Sequence, residues 1–465
     1  MNPFLNPIFS AKILWHYLND IDRAWKMDEE QLRRYQDKAV RKAVSYAYRA
    51  PLYHKKYREA GIKPEDIHGM EDIKKLPLIT KEDLINGFPD DIIPVGYNKE
   101  KAYVVGTSGS SGRPMQMFKD IEYIMIEALA GVRLLKAYGM HWRKSRITNI
   151  GDFSVPKTTD EECLRKGLMG NLSPIFSLNN YQNLYTGEEA KVLMEKMNSF
   201  RPELLIAYTS VLVGLATLKI KGMGENVRPK YIVSSGEVLD EYTRKYIEDA
   251  FNTKVLNLYA TTEGGTIAFE CTRGNLHINS DFVHVEVLDK EGNEVGDDEF
   301  GSIVITRLFP GGTPIVRYTG LNDIVSVSNK KCDCGMHTPL LKNLEGRKKD
   351  AIILPDGRIF PPATVPMPLA EAAEKLNTKQ IRRFQFLQKN IDEIEIRVEI
   401  EERERGKPVE PEKLLEEIRK NYEKLFGEDV KVEVKEVKEV EKVDGYTKPI
   451  VISKLDTRMV EKALL

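Results

Sequence analysis

Lys230 to Gly265 reads K-Y-I-V-S-S-G-E-V-L-D-E-Y-T-R-K-Y-I-E-D-A-F-N-T-K-V-L-N-L-Y-A-T-T-E-G-G. Two short apolar runs, 230–234 and 254–259, bracket a helical stretch at 240–251. Upstream the alternation repeats: helix at 188–200, buried strand at 203–208, helix at 209–222 with Thr209 and Ser210 as caps. Short apolar strands alternating with helices predict a parallel, doubly wound sheet. In such sheets ligands sit beyond the carboxyl ends of strands. Two loops fall there, Ser234-Ser235-Gly236-Glu237 and Tyr259-Ala260-Thr261-Thr262-Glu263-Gly264-Gly265. Glu263 stands among hydroxyls and glycines, where a carboxylate can hold Mg²⁺ against phosphate oxygens. Taken singly, it reads better as an N-cap or a solvated loop acid.

Further upstream, Val104 to Phe118 reads V-V-G-T-S-G-S-S-G-R-P-M-Q-M-F, predicting strand, loop, strand. Gly106, Gly109 and Gly112 let backbone N–H groups converge. Thr107, Ser108, Ser110 and Ser111 add hydroxyls and Arg113 a fixed charge, so the loop suits a polyphosphate; a solvated turn is the plainer alternative. No Gly-Lys-Ser/Thr closes it, so it is not a Walker loop. Residues 28–60 and 119–139 read as helical, with Gly139 as a C-cap. Thr80 followed by Asp83 predicts an N-cap after the extended approach at Pro77. Residues 156–187 are irregular.

Downstream the period changes. Residues 284–288, 301–308 and 315–318 alternate as strands, predicting an antiparallel β lobe at about 266–345, in the manner of a small barrel. Its last strand runs into R-Y-T-G-L-N-D, ending at Asp323, a candidate acceptor for sugar hydroxyls. Cys271-x₅-His277 and Cys332-x-Cys334 form two ligand pairs separated by hairpins. Cys₃His is a closed structural zinc set; the alternative is free thiols beside an unrelated histidine. His337 is a further candidate ligand. Beyond residue 350 a hairpin turns at Asp356-Gly357. Alternating strands at 394–400 and 430–434 flank a helix carrying Leu414, Leu415, Ile418, Tyr422 and Leu425, stopped by Gly427.

At 465 residues, with 41% hydrophobic and 30% charged residues, the chain predicts a globular protein of several domains. A net charge of −1 gives no global electrostatic case for nucleic acid or an anionic membrane. No apolar run reaches bilayer length, and Met1 to Asp20 does not read as a secretory signal. Four cysteines make no disulfide scaffold, so a reducing, cytoplasmic setting is expected.

These motifs, taken in order, resemble the adenylate-forming enzymes, and within them the phenylacetate–CoA ligase branch with its archaeal and capsule-gene-like relatives. The matches are L-P-L-I-T-K-E-D (Leu76 to Asp83), T-S-G-S-S-G-R-P (Thr107 to Pro114), S-S-G-E (Ser234 to Glu237) and Y-A-T-T-E (Tyr259 to Glu263). R-Y-T-G-L-N-D (Arg317 to Asp323) and G-R-K-K-D (Gly346 to Asp350) complete them, spanning about residues 28 to 455. The Cys/His set is similar to the zinc knuckle of some members.

The resemblance implies α/β architecture: a large N-terminal domain (1–346) of doubly wound sheets plus a small β-barrel lobe, then a small α+β C-terminal lid domain (347–465). It implies that a carboxylic acid attacks the α-phosphate of ATP, releasing pyrophosphate. Coenzyme A thiol then displaces AMP after the lid rotates. By motif position, Thr107, Ser108, Gly109, Ser110, Ser111 and Gly112 would hold the triphosphate. Ser235, Gly236 and Glu237 would border the adenine with the backbone of Tyr259, Ala260 and Thr261. Thr262 would touch the α-phosphate, Glu263 the Mg²⁺, Asp323 the ribose and Arg347 ribose or phosphate, with Lys349 at the hinge. Ala260 replaces the family's usual glycine, and Asp323 lies one residue further from Arg317 than is common. The adenylation lysine follows a glycine in the family; here Lys448 follows Thr447, and Lys454 is the other candidate.

The expected protein is therefore an ATP-dependent ligase of an aryl or arylacetic acid to CoA, homodimeric, with Mg²⁺ and structural Zn²⁺. The alternatives are an adenylyltransferase serving another acceptor, such as a deazaflavin coenzyme, and a nucleotide-binding regulator without turnover.

Overall fold

The computed structural model describes residues 6–106, 115–151, 178–342, 344, 351–356, 358–360, 362, 365–378, 380–401, 409–442 and 449–455. The chain divides into two compact units. One comprises Met1–Lys144, Pro174–Phe176 and Leu258–Asn343; the other comprises Ser145–Ser173, Ser177–Asn257 and Leu344–Leu465.

The first unit opens with the helices Pro7–Asp20, Glu29–Ala47, Pro51–Glu59 and Lys81–Gly87. Pro51 and Pro7 sit in first turns, where the missing N–H costs nothing. The Thr80–Asp83 capping box forms as expected: Asp83 N donates to Thr80 Oγ1 at 3.1 Å and Thr80 N to Asp83 Oδ2 at 2.8 Å. Ala102–Gly106 and Gln116–Asp120 pair antiparallel, Gly106 opposite Gln116, framing the Ser/Gly loop. The antiparallel lobe follows. Gly265–Glu270 pairs with the end of Lys254–Thr261 and with Leu276–Ile278, which pairs in turn with Leu340–Lys342. The order continues through Ile324–Ser328 and Gly301–Arg307 to Val283–Leu288.

One expected strand is corrected. Residues 315–318 form no strand; only Tyr318 makes isolated bridges, to Ile79 and Ile305. Arg317 takes a left-handed φ of 47°, which breaks the extended run. The segment instead welds two motifs together. Ile79 N donates to Arg317 O, and Thr319 N to Ile79 O, both at 2.9 Å.

In the second unit the parallel order is Tyr181–Tyr185, Ile147–Gly151, Leu204–Tyr208, Tyr231–Ser235. The crossover helices Ala190–Phe200, Thr209–Ile220 and Glu241–Phe251 cover it, with Leu205, Leu212, Leu215, Ile232 and Ile247 in one core. From residue 188 to 259 this is the alternation that the sequence predicts; the strand Tyr181–Tyr185 corrects the expectation that 156–187 is irregular throughout. The C-terminal part builds a separate four-stranded sheet, ordered Lys431–Glu436, Glu393–Ile400, Ile381–Asn390, Val451–Ser453. The helix Pro411–Phe426 buries Leu414, Ile418 and Tyr422 against Phe386, Ile396 and Val398, and Gly427 ends it at φ 96°.

Candidate active site

The turn at 262–264 closes a hairpin between Lys254–Thr261 and Gly265–Glu270. Gly264 N donates to Thr261 Oγ1 at 2.9 Å, and Gly265 adopts φ 68°, a conformation that suits glycine. The turn draws Glu263 inward to 6% exposure, and the hydroxyl of fully buried Tyr318 donates to its Oε1 at 3.2 Å. Burial pushes the Glu263 carboxyl up from its ordinary value, against the hydrogen bond from Tyr318 and the charges of Lys81 and Lys119. Burial and the neighbouring carboxylate likewise push the Tyr318 hydroxyl up, so it stays a donor.

Asp323 lies just before the strand Ile324–Ser328 and accepts the Tyr259 hydroxyl on Oδ2 at 2.5 Å. Asn322 beside it has φ 59°, a left-handed bend immediately before the strand. Tyr259 and Asp323, placed in one site from sequence, are thus in direct contact. Arg317 points elsewhere, pairing with Glu286 at 2.9 Å and donating to the carbonyls of Lys74 and Leu76 at 3.0 and 2.7 Å.

In the second unit, Ser235 ends its strand and Gly236 turns at φ 78° against the ring of Tyr208, which a Cβ would meet at 2.3 Å. The expected caps of the helix Thr209–Ile220 are corrected. Its N-cap is Tyr208, without a side-chain cap. The orphan N–H of Ser210 is served instead by Glu237, whose Oε2 accepts it at 2.6 Å while Oε1 accepts the Ser210 hydroxyl at 3.0 Å. Thr209 Oγ1 lies 2.7 Å from Ser234 Oγ. Arg383, from the C-terminal sheet, donates to Ser210 O. Glu237→Ala is expected to lower stability by about 1 kcal/mol, the usual cost of a lost helix cap. Denaturation midpoints of the alanine and glutamine variants check this, glutamine keeping an acceptor and most of the stability.

Cys271, His277, Cys332 and Cys334 bring their ligand atoms within 4.8 Å of one another, and His337 is outside the group. The set is assembled by sheet register: His277 lies opposite both Phe269 and Leu340. Gly335, at φ 82°, turns the Cys-x-Cys segment, with its N–H donating to Cys332 O at 3.3 Å. Two sulfurs bound to one tetrahedral zinc stand roughly 3.8 Å apart; Cys271 and Cys332 Sγ are 3.7 Å apart. His277 Nε2 is 3.2 Å from Cys334 Sγ, and its Nδ1 lies 3.2 Å from Thr338 Oγ1. Burial pulls the His277 ring down to about 4, so it is neutral at pH 7. A neutral imidazole, a second-sphere partner on its far nitrogen and three thiols fit a soft, tetrahedral ion.

No protein-family model matches the chain. The phenylacetate–coenzyme A ligase of Thermus thermophilus is 26% identical over 417 residues, covering 84% of this chain and 87% of the relative. The protein CapK of Staphylococcus aureus is 29% identical over 275 residues, 58% of each chain. Among solved structures, a 2-hydroxyisobutyryl-CoA ligase in the postadenylation state has a TM-score of 0.74 at 19% identity, covering 95% of this chain and 94% of its own. The chain is phenylacetate–CoA ligase-like, with the fold of the adenylate-forming enzymes.

Of the site positions expected in this phenylacetate–CoA ligase-like chain, Thr107, Ser108, Gly109, Ser110, Ser111, Gly112, Arg347, Lys349 and Lys448 lie outside the described residues. Lys454 is exposed, its N–H donating to Gln388 O at 2.9 Å. Sequence reasoning missed Tyr318 as the partner of Glu263, although it stands in the quoted R-Y-T-G motif. The signal was a tyrosine after the apolar pair Ile315-Val316 in a Gly-bounded run.

Proposed function

We propose that the chain is an ATP-dependent, AMP-forming carboxylate–CoA ligase for an aryl or arylacetic acid. The observation that carries this reading is the buried Glu263 turn, on a chain similar over most of its length to phenylacetate–CoA ligases. Displacement at phosphorus needs charge neutralisation and alignment, which hydroxyls, backbone N–H groups and one carboxylate-held cation provide. Glu263 is the residue that would hold Mg²⁺, and the ion would neutralise charge on the phosphate oxygens. The carboxyl is an oxygen donor whose ionisation is disfavoured by burial, a cost that an adjacent dication removes. Asp323 and the Tyr259 hydroxyl form a donor–acceptor pair for a ribose diol, while Ser235, Gly236 and Glu237 would border the base. Ala260, Thr261 and Thr262 complete the nucleotide side, with Thr107 to Gly112 around the triphosphate and Arg347 beside ribose or phosphate. Residues 347–465 would act as the lid, pivoting near Lys349 and presenting Lys448 or Lys454 for adenylation. Cys271, His277, Cys332 and Cys334 would hold a structural zinc, closing all four positions and leaving none for chemistry. The setting is cytoplasmic and the assembly a homodimer in this reading; no described helix is long and apolar enough to cross a membrane.

The test is pyrophosphate release from ATP and Mg²⁺ with a panel of aryl and arylacetic acids, then thioester formation on adding CoA. Glu263→Gln is expected to slow acid-dependent pyrophosphate release by roughly 10²–10³-fold with the fold retained. Wild-type activity in that variant, measured by the same release assay, would remove the metal role.

A further inference from the structure

The helix Pro7–Asp20 is held by one face and bare on the other. The inward face carries His16 and Asp20, both buried, with Phe9, Ile13 and Tyr17 half-buried. Asp20 pairs with Arg23, and its Oδ2 lies 2.7 Å from His16 Nδ1. On the outward face Ile8 is 80% exposed, Leu14 and Trp15 56% each and Leu18 62%. At about 3.6 residues per turn these four, with exposed Pro7 and Ala11, fill one arc of about 120° that contains no polar residue. A surface helix of a globular domain normally turns such an arc inward. The side chains make a patch of roughly 400–500 Å², a size that marks interaction surfaces.

One edge of the arc is cationic. The Trp142 indole donates to the Tyr17 hydroxyl at 3.0 Å, and the two rings meet edge to face with centroids 5.9 Å apart. That contact sets His141-Trp142-Arg143-Lys144 beside the helix. His141, Arg143 and Lys144 are exposed, and Arg143 lies 5.7 Å from the Trp142 ring centre. From Ala128 to Lys144 the chain contains no Asp or Glu. Acids near the helix are already engaged: Asp22 by Lys26 and Lys136, and Glu122 by Lys12 at 2.6 Å. An apolar arc, tryptophan and tyrosine at its boundary and an adjoining basic segment suit the headgroup region of a bilayer.

We propose that this face docks the chain onto an anionic phospholipid bilayer, as a peripheral contact that does not span it. The net charge of −1 gives the whole molecule no attraction to such a surface, so the attraction is local to Arg143 and Lys144. Insertion of the apolar arc adds to it, and stable anchoring takes two such signals together. A second copy of the chain fits less well. The patch is only about half of the ~800 Å² that each partner contributes to a stable dimer. Pairing two arcs antiparallel would set Arg143 and Lys144 against the N-terminal end of the other helix, where the dipole is positive and the first turn holds no acid. Pairing them parallel would set the same cations beside Lys12 and Asn19. Recruitment to a bilayer is independent of the chemistry at Glu263.

The test is co-sedimentation of the full chain with vesicles of phosphatidylcholine, alone or with about a third phosphatidylserine. Binding is expected to the anionic vesicles and not to phosphatidylcholine alone, and to weaken as salt rises. Tryptophan fluorescence should shift to the blue on binding, and Trp15→Phe should remove most of that shift while keeping most of the affinity. Leu14→Gln/Leu18→Gln and, separately, Arg143→Glu/Lys144→Glu should each lower vesicle affinity at least about tenfold. All four side chains are exposed, so an unchanged melting temperature is the control, and either double variant decides if the other fails to fold. No sedimentation of wild type with anionic vesicles at low salt overturns the proposal. Binding that Leu14→Gln/Leu18→Gln leaves intact also overturns it, as electrostatic adsorption without insertion. A wild-type dimer that the same variant splits assigns the arc to a second copy and overturns it too.

Discussion

Asp281→Ala is expected to destabilise the first unit by about 3–5 kcal/mol, the cost of leaving buried charge uncompensated. Arg133 is wholly buried on the helix Ile121–Ala137 and grips Asp281 with both nitrogens, at 2.7 and 2.6 Å. It also donates to Asn279 Oδ1 at 2.9 Å and to the carbonyls of Ile21 and Asp20 at 3.2 and 2.5 Å. Arg23 donates to Asp281 Oδ2 at 3.0 Å and pairs with Asp20, whose Oδ2 lies 2.7 Å from His16 Nδ1. The Asp281 carboxylate thus bridges two guanidinium groups, with Asp20 as the second counter-charge, and ties the end of the helix Pro7–Asp20 to the lobe. Alanine leaves Arg133 and Arg23 buried with only neutral acceptors and Asp20. Arg133→Met/Asp281→Leu should recover much of the loss, because it removes the charges together. Burial would raise the Asp281 carboxyl, but Arg133 and Arg23 outweigh it and hold it below the ordinary aspartate value. A depressed carboxylate contributes stability that is full above its unfolded pKa of about 3.9 and is lost as pH falls through the folded one. The wild-type advantage over Asp281→Ala should therefore be flat at neutral pH and shrink only below about pH 4. All three tryptophans, Trp15, Trp25 and Trp142, belong to this unit, so fluorescence-monitored denaturation reports on it directly. A midpoint unmoved by Asp281→Ala would mean that the network is not what holds the N-terminal helix.

The lock was invisible in the sequence for a physical reason. Its two halves stand 148 residues apart, and a lone arginine in an apolar helix reads as a snorkelling side chain. Local signals were legible where the chain satisfies itself locally. The Thr80–Asp83 box needs only its own four residues, and the strand–helix alternation of 203–259 follows from periodicity. Glu237 is the contrary case: it belongs to a loop beyond a strand, as expected, yet its carboxylate serves Ser210, 27 residues earlier, in the first turn of a helix. Apolar content misled at 315–318, because Arg317 in the left-handed region turns the backbone's hydrogen bonds toward Ile79 and away from a sheet ladder. The Glu263 turn lay between these extremes. Its hydroxyl and glycine neighbours announced an unusual loop, but only packing supplied Tyr318 and the burial.

The Cys/His set was legible because its residue types are scarce, and it yields the other large effect. Purified protein is expected to carry about one zinc per chain, and Cys271→Ser to lose it. A bound ion at a thousandfold its Kd contributes about 4 kcal/mol to the folded state, so loss of the site should cost several kcal/mol. The geometry says where the cost falls. Cys271 directly follows the strand Gly265–Glu270, His277 sits within Leu276–Ile278, and Cys332 and Cys334 occupy the loop before Leu340–Lys342. Leu276–Ile278 and Leu340–Lys342 are three residues long each, too short to hold register by ladder bonds alone. An ion joining all three segments would fix that register; without it the lobe beside Glu263 should loosen. Metal analysis and thermal denaturation of wild type and Cys271→Ser decide the matter. A metal-free wild type with the same melting temperature as the variant would reduce the four residues to buried thiols beside a histidine. A zinc-bearing wild type that melts well above the variant would make the ion part of the fold that presents Glu263.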